Sequence, residues 1–238
     1  MPEPSFEERP MSREADRLIL SPSTLAADFG NLAAEVRRLE EAGADWIHFD
    51  VMDGHFVEAI TYGPMVLEAV RPVTSLPFDA HLMVDNPQRH IMAFAKAGAQ
   101  WITVHLEVAA DAAALARQIH EAGCKAGISL NPDTPVRWLE PILPAFDLAL
   151  VMSVFAGRGG QRFIPASLGR VREVRAMLER AGHDALIAVD GGIDGAIARE
   201  LWRAGARVIV AGSFVFGHPG GPAAALAELR AAADEPQE

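Results

Sequence analysis

Four ionisable residues stand where a buried strand would meet solvent. His48 and Asp50 occur in Trp46-Ile47-His48-Phe49-Asp50-Val51-Met52-Asp53-Gly54, His81 in Ala80-His81-Leu82-Met83, and Asp190 in Ala188-Val189-Asp190-Gly191-Gly192. Each closes a short apolar run followed by turn residues, the pattern of a buried strand reaching its end. Packing explains such residues poorly, because burying even a neutral polar group without a partner costs about 2–7 kcal/mol. Two imidazoles and two carboxylates can instead share one divalent metal ion. The arrangement suggests a catalytic site assembled from three separate strands.

The elements that must position these groups follow from a weak internal repeat. Gly43, Gly98, Gly123, Gly182 and Gly205 each follow a stretch with helical periodicity, sit where a helix stops on a residue of positive φ, and lead within a few residues into an apolar run. This is the joint between helix and strand in a βα repeat. Strands are predicted near residues 18–21, 46–51, 78–83, 101–105, 125–130, 148–153, 185–190 and 208–211. Helices are predicted near 31–41, 64–70, 87–97, 111–121, 135–143, 165–181, 196–203 and 222–232. Strict alternation with nearly all-apolar strands favours a single eight-stranded parallel β/α (TIM) barrel over a doubly wound sheet. In a barrel the C-terminal strand ends surround one site, so His48, Asp50, His81 and Asp190 would converge from strands two, three and seven.

Composition narrows the function. The chain has 238 residues, half of them apolar, enough for a full core. Its net charge of −11 argues against nucleic acid or an anionic membrane as partner, since both require basic patches. Cys124 is the one cysteine, which leaves neither a disulfide framework nor a thiolate metal cluster and reads as a small core residue. The longest apolar stretch, 148–156, is about half of the roughly 20 residues a membrane helix requires. Residues 1–17 are Pro-rich and charged without a secretory hydrophobic segment, so they read as a disordered extension to a cytoplasmic protein. The catalytic domain is placed at 18–232, and 233–238 is read as a flexible tail.

Glycine clusters follow three late strands: Gly157-Arg158-Gly159-Gly160, Gly191-Gly192 and Gly212-Ser213. Glycine lets backbone N–H groups approach an anion, and loops after the late strands of a β/α barrel are a frequent phosphate site. One such cluster would read as a turn; three on neighbouring strands point to the phosphate-binding type of barrel.

These motifs carry a specific resemblance. Leu20-Ser21-Pro22-Ser23, Ala27-Asp28-Phe29, the stretch from His48 to Val57, Asp79-Ala80-His81-Leu82-Met83, Asn131-Pro132-Asp133-Thr134-Pro135, Gly159-Gly160-Gln161, Val189-Asp190-Gly191-Gly192 and Ala211-Gly212-Ser213 together resemble the ribulose-phosphate 3-epimerase family. The match runs in order from about Leu18 to Phe216. It implies a β/α barrel enzyme that interconverts D-ribulose 5-phosphate and D-xylulose 5-phosphate.

Inverting a carbon next to a carbonyl means removing a weakly acidic proton and returning one to the opposite face of an enediolate. One base cannot serve both faces, so two are needed, and a divalent ion stabilises the charge that develops between the two steps. The resemblance implies that His48, Asp50, His81 and Asp190 hold one metal ion per chain (Zn, Fe(II), Mn or Co) and that Asp50 and Asp190 are the acid/base pair. It further implies that Ser23 contacts substrate and that Met52, Met83 and Met152 wall the reacting carbons; read singly, Ser23 is a turn hydroxyl and each Met a core filler. His81 and Asp190 would also touch the sugar. Gly157, Arg158, Gly159, Gly160, Gly191, Gly192, Gly212 and Ser213 would hold its phosphate. The expected partners are a small phosphorylated sugar and further copies of the same chain.

Other residues carry less. His55 reads as a loop residue, Asp53 as the organiser of its turn, and His105 as a hydrogen-bonded core histidine. His90, His120, His183 and His218 lack partners at ligand spacing. The chain departs from the family pattern in two loops that would cover the substrate. Val57-Glu58-Ala59-Ile60-Thr61 stands where Val-Pro-Asn-Ile-Thr is usual, and Phe155-Ala156-Gly157-Arg158 replaces a segment in which Arg158 takes the place of an aromatic. Reaction type is therefore better specified than substrate. The alternatives are 3-epimerisation of another ketose phosphate, such as a tetrulose or hexulose phosphate, a related barrel lyase or decarboxylase, and a metal-binding homologue without turnover. A decarboxylase of this kind needs a lysine beside its carboxylates, and Asp50-Val51-Met52-Asp53 offers none.

Overall fold

The computed structural model describes residues 17–234. Eight parallel strands appear in chain order: β1 (Ile19–Ser21), β2 (Ile47–Met52), β3 (Phe78–Met83), β4 (Ala99–His105), β5 (Lys125–Leu130), β6 (Leu148–Met152), β7 (Leu186–Asp190) and β8 (Val208–Val210). They are hydrogen-bonded in the order β1-β8-β7-β6-β5-β4-β3-β2. The remaining seam is spanned by a parallel bridge between Ser23 and His48 and by the His48 N–H, which donates to the carbonyl of Pro22 at 3.0 Å. The sheet thus closes, for practical purposes, into a barrel, and the doubly wound alternative falls away.

Around it pack α1 (Leu32–Glu41), α2 (Pro64–Val70), α3 (Ile91–Lys96), α4 (Ala112–Glu121), α5 (Ser167–Ala181), α6 (Gly195–Ala204), α7 (Ser213–Gly217) and α8 (Gly221–Arg230). All five repeat glycines have positive φ, from 59° at Gly182 to 115° at Gly205. A side chain there would be strained, which is why the joints are glycine. In α1 the buried residues are Leu32, Val36 and Leu39, one face of a 3.6-residue period.

Two expectations change. The helix predicted over 135–143 is replaced by 3-10 turns at Val136–Trp138 and Leu143–Ala145. Pro141 and Pro144 remove amide donors and clash with the preceding turn, so an apolar period cannot be completed as an α-helix. A short helix, α7, appears directly after β8, where none was predicted. The extension at 1–16 and the tail at 235–238 lie outside the described residues. Arg17 is described and pairs with Asp45 at 3.2 Å, and a closing 3-10 turn runs through Ala231–Asp234.

Strand alternation divides the apolar residues into two cores. Ile47, Phe49 and Val51 of β2 face the helices, in the larger cluster between sheet and helical layer. Trp46, Trp101, Ile19, Leu148 and Leu150 fill the barrel interior, with the indoles of Trp46 and Trp101 stacked at 4.7 Å. Those interior residues lie toward the strand starts. Toward the strand ends the inward positions of β2, β3 and β7 bring in His48, Asp50, Asp79, His81 and Asp190 beside Met52, Met83 and Met152, and there the site begins.

Candidate active site and metal centre

Register brings the first three candidate ligands together. In the β2–β3 ladder His48 is opposite Asp79 and Asp50 opposite His81, so all four side chains face inward on two neighbouring strands. Asp190, the last residue of β7, enters from across the barrel. One nitrogen or carboxylate oxygen from each of His48, Asp50, His81 and Asp190 lies within 4.8 Å of all the others. His48 Nε2 and His81 Nδ1 stand 3.4 and 3.3 Å from Asp50 Oδ1.

The donor set fits a divalent ion. His48 is fully buried and, among the described residues, its Nε2 has no hydrogen-bond partner, an uncompensated lone pair or proton aimed into the cluster. Its Nδ1 is 2.8 Å from Asp79 Oδ2, and Thr103 Oγ1 donates to the other Asp79 oxygen at 3.3 Å. A carboxylate behind a ligating imidazole fixes its tautomer and orientation. Two nitrogens and two carboxylates without sulfur suit Zn, Mn, Fe(II) or Co.

Electrostatics drive the two aspartates apart. Burial would raise the Asp50 pKa, but the positive charge of His48 beside it outweighs that and holds the carboxyl far below its usual range. Asp190 is pushed up, to about 7, by burial and then by the negative charge of Asp50. For His48 burial opposes the charge, yet Asp50 and Asp79 prevail and its pKa rises well above 6.5. Burial takes His81 down to about 4, leaving a neutral imidazole with a lone pair to offer.

Above this floor opens a cavity of about 510 Å³. Asp50 and Asp190 line it together with Ser23, Met52, Met83 and Met152 and the glycine clusters at 157–160, 191–192 and 212–213. His48 and His81 lie beneath, in the barrel wall. The three methionines are almost wholly buried and close the sides with polarizable apolar surface. Ser23 Oγ donates to Asp50 Oδ2 at 2.5 Å, orienting that carboxylate. Arg158 lines the rim and is exposed. Gly192 has φ +65°, and a Cβ there would sit 2.4 Å from the Phe163 amide nitrogen, so glycine is what allows the loops after β6 and β7 to meet.

The remaining expectations sort cleanly. Asp53 does organise its turn, accepting from the His55 and Phe56 amides at 2.8 and 3.0 Å, and its second oxygen ties the turn to Asp85 N at 2.8 Å. His55 stays in that loop. His105 is fully buried and hydrogen-bonded. Cys124 is buried, with burial raising its thiol to about 11. Asp79 was missed as a functional residue, although the signal existed: it precedes His81 by two positions and must share its face.

The family model for the ribulose-phosphate 3 epimerase family matches residues 19–216. The chain is 49% identical over 199 residues to ribulose-phosphate 3-epimerase of Bacillus subtilis, covering 83% of this chain and 92% of that protein. It is 46% identical over 202 residues to the chloroplastic ribulose-5-phosphate-3-epimerase of Arabidopsis thaliana, covering 84% and 72%. Among solved structures, tryptophan synthase of Mycobacterium tuberculosis superposes with a TM-score of 0.67 at 17% identity, covering 94% of this chain and 95% of that one, a likeness of fold alone.

Proposed function

The chain belongs to the ribulose-phosphate 3-epimerase family, and on that premise we propose that it interconverts D-ribulose 5-phosphate and D-xylulose 5-phosphate by two-base proton transfer through an enediolate. The observation that carries this reading is a pair of carboxylates, Asp50 on β2 and Asp190 from across the barrel on β7, lining one cavity within one cluster of potential ligands. Two carboxylates that approach one substrate from different strands can each serve one face of an enediolate. Asp50, ionised, takes the C3 proton. Asp190, protonated, delivers a proton to the opposite face, and the reverse reaction exchanges the roles.

Other residues of the chain support those transfers. His48, Asp50, His81 and Asp190 would hold one divalent ion, which when bound supplies positive charge for the enediolate oxygens. Ser23 keeps the Asp50 carboxylate aimed into the cavity through its 2.5 Å bond. Met52, Met83 and Met152 exclude water without adding a competing base. The glycine clusters at 157–160, 191–192 and 212–213 lie where backbone N–H groups can approach a phosphate, with Arg158 at the rim. Likeness of fold to barrel lyases carries no argument for their chemistry, and no lysine stands within Asp50-Val51-Met52-Asp53.

The test is kcat/KM across a panel of ketose phosphates of four to six carbons, with C3 deuterium uptake followed by NMR. D-ribulose 5-phosphate should be preferred at least tenfold. A different ketose phosphate preferred by that margin would overturn the substrate, and no exchange at C3 of any of them would overturn the reaction.

A further inference from the structure

A buried polar chain leads away from the cluster on the side of His81. His105, at the end of β4, is fully buried, and its Nε2 lies 2.9 Å from Nε2 of His81. The two rings lie edge to edge, with centroids 4.9 Å apart and planes 21° from parallel, and the Phe56 ring centroid is 4.6 Å from that of His105. His105 Nδ1 is 3.0 Å from Glu107 Oε2. The other Glu107 oxygen accepts from the Asn131 amide at 2.7 Å and from the Thr134 hydroxyl. Those donors are held in place by Arg170, which donates to the carbonyls of Asn131, Pro132 and Thr134 at 2.8–2.9 Å.

Proton counting along the chain allows one arrangement for neutral rings. An ionised carboxylate can only accept, so Glu107 places the His105 proton on Nδ1. His105 Nε2 is then a lone pair, and a 2.9 Å contact between two ring nitrogens requires the proton to come from His81 Nε2. His81 Nδ1 is left as a lone pair facing the cluster, the form a metal ligand needs. Asp50 pulls the other way: its Oδ1, 3.3 Å from His81 Nδ1, would favour a proton there. That tautomer, however, would set two lone pairs against each other between His81 and His105.

We propose that Glu107 and His105 are positioning residues that fix His81 in its Nε2–H tautomer, so that Nδ1 stays free to bind the metal against the competing pull of Asp50. The inference rests on the reading of His81 as a ligand. Partners behind a ligating histidine typically change metal affinity by roughly 10–100-fold when removed.

The experiment uses metal-stripped full-length protein and two readouts. Co(II) affinity is measured by competition with a chelator, and imidazole tautomers are assigned from long-range nitrogen–proton NMR spectra of the same metal-free samples. In the wild type, His81 should carry its proton on Nε2 and His105 on Nδ1. His105→Phe, which keeps a ring but removes the acceptor, should move His81 protons to Nδ1 and weaken Co(II) binding by roughly 10–100-fold. His105→Gln restores an acceptor and should return affinity to within about threefold of wild type, while Glu107→Gln should show a mixed tautomer at His105 and an intermediate affinity. A wild-type His81 protonated on Nδ1 would overturn the inference, as would unchanged affinity in both His105→Phe and Glu107→Gln. If His105→Phe does not fold, the wild-type tautomers and Glu107→Gln decide alone. His81→Ala separates the two levels: undiminished Co(II) binding there refutes the ligand reading itself, whereas loss there with no effect at His105 and Glu107 refutes only the tautomer control.

Discussion

Replacing Asp190 by Asn should separate catalysis from stability in opposite directions. The amide keeps the shape of the carboxyl but can neither carry a transferable proton at this site nor match its charge as a ligand. A general acid or base contributes about 10²–10⁴-fold, so kcat should fall by roughly 10³-fold or more, about 4 kcal/mol of barrier at 1.36 kcal/mol per decade. Stability works the other way. Burial and Asp50 raise the folded pKa of Asp190 to about 7 from 3.8. A raised carboxyl contributes stability that is complete below the unfolded pKa and is lost as pH rises through the folded one, a loss of at most about 4 kcal/mol between pH 4 and 7. Asn carries no such penalty. Metal-free Asp190→Asn should therefore be at least as stable as metal-free wild type at pH 7, with the difference vanishing near pH 4, as read from urea midpoints. Wild-type turnover in the variant would remove Asp190 from proton transfer. An Asn variant less stable than wild type at pH 7 would show that the carboxylate is not held against its preference.

Three further outcomes are expected. Glu107, lowered to about 2 from 4.5 because hydrogen bonds from His105 and Thr134 outweigh its burial, contributes stability above pH 4.5 that is lost as pH falls toward 2; the stability gap between wild type and Glu107→Gln should shrink over that window in urea titrations, and a gap independent of pH would refute it. Arg158→Phe should raise KM for the phosphorylated sugar at low salt, leave kcat little changed and flatten the salt dependence of KM; unchanged KM at low salt would assign Arg158 to the solvated rim. Gly192→Ala, with φ +65° and a Cβ that would stand 2.4 Å from the Phe163 amide, should lower stability by roughly 1–3 kcal/mol and raise KM, and a variant with wild-type Tm would show that the loops after β6 and β7 yield more easily than this packing implies.

The barrel was legible because its periodicities are local. Apolar strands, helix-stopping glycines and turn residues each act within a few positions, and all eight strands lie where those patterns place them. The helix expected at 135–143 failed because an apolar period was given more weight than Pro141 and Pro144, whose missing amide protons veto an α-helix whatever the pattern. The cluster of His48, Asp50, His81 and Asp190 was legible because charged groups at strand ends have no packing role to hide behind, whereas the acid/base roles of Asp50 and Asp190 were expected only from the family resemblance. Asp79 and Glu107 were not, since their importance lies in what they touch across strands: Asp79 meets His48 through β2–β3 register, and Glu107 meets His105 only after the chain turns out of β4. Ser23 was expected at the substrate and does line the cavity, but its hydrogen bond to Asp50 depends on the closure of the barrel seam, which no local pattern specifies.

The most direct test of the two-base mechanism is a single-turnover reaction with D-ribulose 5-phosphate in D2O, stopped at low conversion, with deuterium at C3 measured by mass spectrometry. If Asp50 removes the proton and Asp190 supplies a different one from solvent, the xylulose 5-phosphate formed first carries one deuterium at C3. Product that retains the original C3 hydrogen would mean that a single group carries the proton across, and the assignment of Asp50 and Asp190 as an acid/base pair would be wrong.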